Sequence, residues 1–349
     1  MDTLTVRILD LISSNIHDPF SINQLTKRIK ETYGSAYYAN IYEKLQELKS
    51  EGLLIVELIG RSSNIKLNFQ NYLLIDKLAE MELEKKIDFL ASRNNLFPFL
   101  FELDELLSNR AIRSVTAINP IKNIKLNRIE LLFFLKDTID NDFETIEIYK
   151  EMAKMQNKHN LKISSLMLTK NYFLDLCTSD EINPLREALN KQITFYCPQA
   201  FWNEIRQVAE KAQIRPLRAE TKPADISDLD LTDNLNRFGY REFGIHLTQG
   251  KKFCIEYVTT ALLLQDDARR MDAVAVILAK NSFKSNLLAF LSQKFQTTAK
   301  LIAILKILQE ISPKPEIEKT IGILKVFNIE EYPIDEESIR DKLRVYNAL

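Results

Sequence analysis

The chain has 349 residues, 46% of them hydrophobic and 27% charged, a composition typical of soluble globular proteins with two or three domains at this length. Its net charge is −1, with basic and acidic residues mixed, so composition indicates no single polyanionic or polycationic partner. Three scattered cysteines and three histidines argue against a disulfide framework or a zinc site. Because no signal peptide and no apolar run of ~20 residues is visible, we expect a soluble cytoplasmic protein without a membrane segment.

Residues 1–70 predict three helices followed by a hairpin. TLTVRILDLISSN has helical periodicity, Ser21 is positioned to cap a second helix, and AYYANIYEKLQELKSEG is expected to bury Tyr37, Ile41, Leu45 and Leu48 on one face. LLIVELIG and IKLNF read as strands on either side of RSSN. This order is typical of a winged helix-turn-helix domain, and the phrase LQELKSEGLLIVE resembles many such domains.

Two uses of this domain are open at this point. Its third helix could enter a DNA major groove, with Asn40 reading an adenine edge. However, residues 1–70 contain eight Lys/Arg and eight Asp/Glu, so little affinity comes from counterion release and we expect two copies, a homodimer, to bind double-stranded DNA. The alternative is a protein-interaction or dimerisation module. The expected DNA-binding residues are Lys27, Arg28, Lys30, Tyr38, Asn40, Tyr42, Arg61 and Lys66.

The middle of the chain predicts a charged linker helix over residues 71–97 and an α/β domain over residues 98–212. AIRSVTAI, RIELLFFL, LKISSLML and ITFYC have the β-branched and aromatic content of buried strands. Helical segments alternate with them, and PQAFWNEIRQVAEKA, in which Phe201 and Trp202 are expected to be core residues, follows the last strand. Such alternation favours helices packed on a mixed sheet.

This order, with LKISSLMLTKNYF and NPLREALNKQITFYCPQAFW, resembles the minimal nucleotidyltransferase fold of prokaryotic proteins that carry an N-terminal winged helix. The resemblance covers residues 98–212 in detail and residues 1–97 in domain order. In that family the first strand ends in Gly-Ser, whose backbone lies against the triphosphate. The second strand carries Asp-x-Asp, which holds the Mg²⁺ ions that activate transfer.

The residues of that chemistry are missing here. Asn119-Pro120 occupies the Gly-Ser position and Arg128-Ile129-Glu130 occupies the Asp-x-Asp position. Backbone N–H groups approach phosphates closely where a Cβ is absent, and Pro120 has no N–H to donate. One carboxylate cannot build a two-metal clamp. We therefore expect a degenerate site without catalytic residues, metal or cofactor, in which Arg128 and Glu130 form a strand-end ion pair or are solvated.

The C-terminal third reads as a linker over residues 213–235 and a helical domain over residues 236–349, where amphipathic helices follow one another from CIEYVTTALLLQ to DEESIRDKLRVYNAL. NRFGYREFGIHLTQGKKF could hold a small hairpin. Glu256 is expected to be a buried structural acceptor, His246 is not expected to bind a metal, and Arg269-Arg270 with Asp266, Asp267 and Asp272 is expected to form ion pairs. In the resembling proteins, which include predicted phage-defence and toxin–antitoxin systems, helix-rich partners follow the nucleotidyltransferase domain.

These patterns predict an α+β multidomain protein with an N-terminal winged helix-turn-helix, a central nucleotidyltransferase-like α/β domain and a C-terminal helical domain. The leading hypothesis is a DNA-binding or transcription-regulating pseudoenzyme. One alternative is a divergent nucleotidyltransferase that uses Glu130 with Asp137 or Asp140. The other is a winged-helix scaffold for a protein partner, of the defence or toxin–antitoxin type.

Overall fold

The structure is a computed structural model in which helices are combined with two small sheets. It describes residues 1–16, 19–60, 62–136, 141–185, 189, 191–211, 222–241, 250–265 and 267–348. Several sequence predictions lie outside these residues: Arg61, Asp137, Asp140, His246, Asp266, residues 186–188 and 190 of the NPLREALNK helix and the middle of the NRFGYREFGIHLTQGKKF hairpin. No helix in the described ranges combines the length and the apolar character that crossing a membrane requires.

Three helices and a hairpin form the first part of the chain. They are α1 (Thr3–Ser13), α2 (Ile22–Tyr33), α3 (Tyr38–Ser50), β1 (Leu54–Ile59) and β2 (Ser62–Leu67). Ser21 caps α2 by accepting the Gln24 backbone N–H, while the Gln24 side chain accepts the Ser21 N–H, so the start of α2 is well defined. Phe20, between α1 and α2, forms an antiparallel bridge with Ile65 of β2. That bridge adds a third extended segment to the hairpin.

The next helix, α4 (Leu73–Leu90), packs on both α1 and the central sheet. Its Glu82 is fully buried and accepts the backbone N–H of Thr194 at 2.7 Å. Its Lys86 donates to the carbonyl of Phe195 at 2.7 Å. The segment that the sequence predicts as a linker helix is therefore held against β6 by two side chains of its second half.

The central sheet has four strands, which are numbered in chain order after β1 and β2. Their spatial order across the sheet is β5-β4-β3-β6. The strands are β3 (Ile112–Ile118), β4 (Arg128–Leu135), β5 (Lys162–Leu168) and β6 (Gln192–Tyr196). β3 runs antiparallel to β4 and β6, and β4 runs parallel to β5. The strands are buried along nearly their whole length, which explains why they read as continuous apolar runs.

Helices cover this sheet. They are α5 (Phe97–Asn109), α6 (Pro120–Ile124), α7 (Asn141–His159), α8 (Lys170–Thr178) and α9 (Pro198–Lys211). Phe201 and Trp202 on α9 are each only 1% exposed, so the expectation that they are core residues is confirmed. Cys197, just before α9, is exposed with φ 47°, whereas Cys177 and Cys254 are buried.

The C-terminal third is helical, as expected. Its helices are α10 (Asp228–Arg237), α11 (Ile255–Leu264), α12 (Ala268–Lys280), α13 (Ser285–Lys294), α14 (Thr298–Ile311), α15 (Pro315–Lys325) and α16 (Glu336–Val345). Helix α10 lies partly inside the segment that the sequence predicts as a linker. Helix α13 packs on β5, where Asn286 donates to the carbonyl of Met167 at 3.1 Å. The helical region therefore packs directly against the sheet.

Candidate nucleic-acid interface

Helix α2 presents three of the expected DNA-binding cations. It buries Ile22, Leu25 and Ile29, and the helical period then turns the remaining positions outward. Lys27, Arg28 and Lys30 are accordingly exposed. Lys27 lies 3.9 Å from Glu31, with both side chains more than half exposed, a pair that contributes little and leaves the ammonium accessible.

Helix α3 presents the residues expected to read bases. Ile41, Leu45 and Leu48 are buried, as predicted, so Asn40 faces solvent. Tyr38 and Tyr42, one turn apart and about half exposed, stack with ring centroids 6.3 Å apart. These two tyrosines are brought together at the start of α3.

One prediction on this helix is wrong. Tyr37 was expected on the buried face but is 73% exposed. It precedes the first turn of α3 and has extended backbone angles, so the helical period that buries Ile41 does not reach it. The prediction from helical periodicity therefore missed Tyr37, which is a third exposed tyrosine beside Tyr38 and Tyr42.

Charge on α3 and the hairpin is partly neutralised. Lys44 lies 2.5 Å from Glu47 and 3.3 Å from Asp2, so the Glu47 carboxylate on α3 already has a cation partner. On the hairpin, Lys66 is exposed and lies 3.6 Å from Glu57, with both side chains about half exposed. Arg61, its expected companion, is outside the described residues.

The loop after β3 has a conformation of its own. Asn119 is left-handed (φ 47°, ψ 43°), and its backbone N–H donates to the carbonyl of Lys191 at 2.6 Å. Pro120 begins α6 and is buried, and the Asn123 side chain donates to the carbonyl of Ile118 at 2.9 Å. The N–H of Asn119 is thus used within the fold, and Pro120 has none, so this turn offers no pair of free N–H groups to a phosphate.

Glu130 has a partner that the sequence did not indicate. Its carboxylate is 3% exposed and lies 3.0 Å from the ammonium of Lys294, at the end of α13. The predicted alternatives for Glu130, an ion pair with Arg128 or solvation, are wrong. No sequence signal links Lys294 to Glu130, because the contact depends on how α13 packs on the sheet. Within the described ranges no three His, Cys, Asp or Glu residues are grouped as metal ligands.

A polar cavity of about 650 Å³ lies elsewhere, between α8, the start of α11 and the start of α13. Glu256 on its wall is 3% exposed and accepts the backbone N–H of Lys284 at 2.6 Å, which confirms it as a buried acceptor. Burial raises the pKa of its carboxyl above the usual range. Asp175 and Asp180 at the cavity lie 3.4 Å from Lys284 and Lys252 respectively, so both carboxylates have cation partners.

Of the expected ion-pair network, Arg270 pairs with Asp267 (3.7 Å) and with Asp228 of α10 (3.5 Å), while Asp272 accepts a hydrogen bond from Ser338 at 2.8 Å.

Comparison of the chain with protein-family models, with curated proteins and with solved structures finds no match.

Proposed function

We propose that the chain is a DNA-binding regulatory protein whose first 70 residues form a winged helix-turn-helix. The observation that carries the proposal is the bridge between Phe20 and Ile65. It adds the segment between α1 and α2 to the hairpin, which is the strand arrangement that accompanies three helices in winged helices. The exposed position of Asn40 on α3 supports the same function.

In this function α3 enters the major groove and Asn40 donates to and accepts from an adenine edge. Tyr38 and Tyr42 contact phosphates beside it. Lys27, Arg28 and Lys30 bind the backbone from α2, as Lys66 does from the hairpin. Because the first 70 residues are neutral overall, a monomer binds weakly and a homodimer supplies the affinity.

The central α/β unit is proposed to be nucleotidyltransferase-like without the transfer activity. Support comes from Glu130, whose charge is balanced by the Lys294 ammonium at 3.0 Å. A carboxylate so paired and buried is not available to a metal ion. Asn119-Pro120 in turn offers no free N–H pair to a triphosphate.

The experiment is fluorescence anisotropy with a labelled duplex across a salt series. In the triple variant Lys27→Gln/Arg28→Gln/Lys30→Gln, the log–log salt slope should flatten by roughly 2 to 3, at about 0.9 per lost phosphate contact. The matched control is Lys150→Gln/Lys154→Gln/Lys306→Gln, which removes three exposed charges from α7 and α14. Equal slopes in the triple variant, the control and the wild type would refute the proposal.

A second candidate, a protein-interaction scaffold, is favoured by exposed apolar side chains one turn apart. Leu83 and Ile87 on α4 are 47% and 62% exposed, and Phe97 and Phe101 on α5 are 38% and 72% exposed. If wild-type protein bound no duplex, and if Leu83→Lys/Ile87→Lys abolished self-association in sedimentation equilibrium, this function would replace DNA binding.

A further inference from the structure

Three strands of the central sheet begin at the same edge, and each begins at or directly after a cation. β4 begins at Arg128, β5 begins at Lys162, and β6 begins at Gln192, directly after Lys191. The register pairs Arg128 with Lys162 on neighbouring parallel strands. Their Cα atoms are therefore about 4.8 Å apart, and their side chains share a face of the sheet.

The strand that ends at this edge adds further cations. β3 leads into α6 and the following turn, and residues 119–129 contain Lys122, Lys125 and Arg128 but no Asp or Glu. Lys122 and Lys125 are exposed. The Asn119 N–H bond to the Lys191 carbonyl holds the start of β6 beside this segment. We call Lys122, Lys125, Arg128, Lys162 and Lys191 the basic edge.

The opposite edge of the sheet is built differently. There Arg113 lies 2.5 Å from Glu204, and Arg110 lies 3.6 Å from Glu144. On the basic edge, Lys122, Lys125, Arg128 and Lys162 have no carboxylate within 4.0 Å in the described part of the chain.

Two acidic residues close to these cations in sequence or through their partners, Glu130 and Glu102, have cation partners of their own. Glu130 is buried against Lys294, and Glu102 on α5 takes both Lys158 and His159 at 2.8 Å. Like charges in register on adjacent strands destabilise a sheet. An external anion at this edge would relieve that repulsion.

We propose that the basic edge binds the phosphate backbone of a nucleic acid, as a contact surface separate from the first 70 residues. Four strands spaced about 4.8 Å apart span about 14 Å, which matches several phosphates of one duplex strand at about 3.4 Å of axis per charge. The exposed large side chains beside the cations, Ile121 and Leu126, are aliphatic and offer no ring on which a base could stack. Because cations bind phosphates, which carry no sequence information, binding here is independent of sequence.

The choice of nucleic acid as the polyanion rests on the proposed function. The finding that Lys122, Lys125, Arg128 and Lys162 have no carboxylate partner in the described part of the chain does not depend on it. The test is duplex anisotropy across a salt series with the quadruple variant Lys122→Gln/Lys125→Gln/Arg128→Gln/Lys162→Gln of the full chain. The control adds Lys325→Gln to the three substitutions of α7 and α14, so that the net charge changes equally. Thermal melting checks that both variants remain folded.

We expect the salt slope of the edge variant to flatten by about 3 to 4 and that of the control to stay at the wild-type value. An unchanged slope in the edge variant, with the Lys27/Arg28/Lys30 variant still flattened, would overturn this inference and leave the proposed function intact. A flattened slope in the edge variant, with an unchanged slope in the Lys27/Arg28/Lys30 variant, would overturn the proposed function and support nucleic-acid binding by the basic edge. Calorimetric binding of ATP that the edge variant loses, while its duplex slope is unchanged, would assign the edge to a single triphosphate and also overturn the inference.

Discussion

The ammonium of Lys85 on α4 lies 2.8 Å from the carboxylate of Asp10 on α1. Lys85 also lies 3.0 Å from Glu82, which accepts the N–H of Thr194 in β6. Burial alone would lower the pKa of the Lys85 ammonium, but the two carboxylates outweigh it and raise that pKa above its usual range. This chain of charged and polar contacts connects the first helix to the central sheet through α4.

Lys85→Met should lower the free energy of unfolding by about 3–5 kcal/mol, because it leaves the buried Glu82 and the half-buried Asp10 without their cation. Urea denaturation measures the change. Lys77→Met on the same helix is the control, since Lys77 is 43% exposed and pairs with Glu80 at the surface, where about 0–1 kcal/mol is expected. Equal losses in the two variants would contradict the prediction.

The pair of Glu130 and Lys294 should behave as a coupled unit. Lys294→Met leaves a buried carboxylate unpaired and should cost about 3–5 kcal/mol. Adding Glu130→Gln should recover part of that loss, with a coupling free energy of about 0.5–3 kcal/mol in a double-mutant cycle. Additive losses in chemical denaturation would mean that the two side chains do not interact in solution.

Because the Glu130 carboxylate is buried against Lys294, we predict that the chain does not transfer nucleotides. Incubation with labelled nucleoside triphosphates and Mg²⁺, alone and with candidate acceptors, should give no incorporation. Transfer that disappears in Glu130→Gln, while persisting in Glu102→Gln as the control, would support the divergent enzyme instead.

Glu256 should make stability depend on pH. Because burial raises the pKa of its carboxyl in the folded state, the folded chain holds the proton more tightly than the unfolded chain. Stability from this group is therefore largest below the unfolded pKa and falls as pH rises from there to the folded pKa, by at most about 1.4 kcal/mol per pH unit. Glu256→Gln keeps the oxygen that accepts the Lys284 N–H and removes the titration. Urea unfolding of both proteins from pH 4.5 to 8 should show wild type losing stability relative to the variant. Parallel curves would count against the prediction.

Asn40→Ala should relax sequence preference without altering the salt slope. A bidentate contact to adenine discriminates between bases by about 1–3 kcal/mol. The difference in binding free energy between two duplexes that differ at one base pair, measured by competition, should therefore decrease by that amount. Ser50→Ala at the other end of α3 is the control. If the preference survives in Asn40→Ala, Asn40 does not read a base.

Local periodicity was enough to predict much of the fold. Ile41, Leu45 and Leu48 repeat at helical spacing and are buried together, and the apolar runs of β3 to β6 are strands that are buried along nearly their whole length. Such patterns are local, so a single sequence carries them.

Contacts without a periodic signal were missed. Helix α10 buries the polar Asn234, which donates to the carbonyl of Lys251 and accepts the N–H of Phe253. Because this part of the chain has few apolar residues at helical spacing, it was predicted to be a linker. In the candidate site, the exposed positions on α2 and α3 follow from periodicity, whereas the partner of Glu130 depends on the packing of α13, which the residues around Glu130 do not encode.

The three cysteines differ in exposure, so one of them can be labelled selectively with a fluorescent dye. Cys177 and Cys254 are buried, and burial raises the pKa of the Cys254 thiol well above its usual value, so both react slowly with maleimides. Cys197 is exposed and directly follows β6, at the sheet edge opposite the start of that strand. A dye on the native protein is thus directed to one position, about 20 Å along the strand from Lys191. Energy transfer from that dye to labelled duplex ends would report where a nucleic acid lies without any engineered thiol.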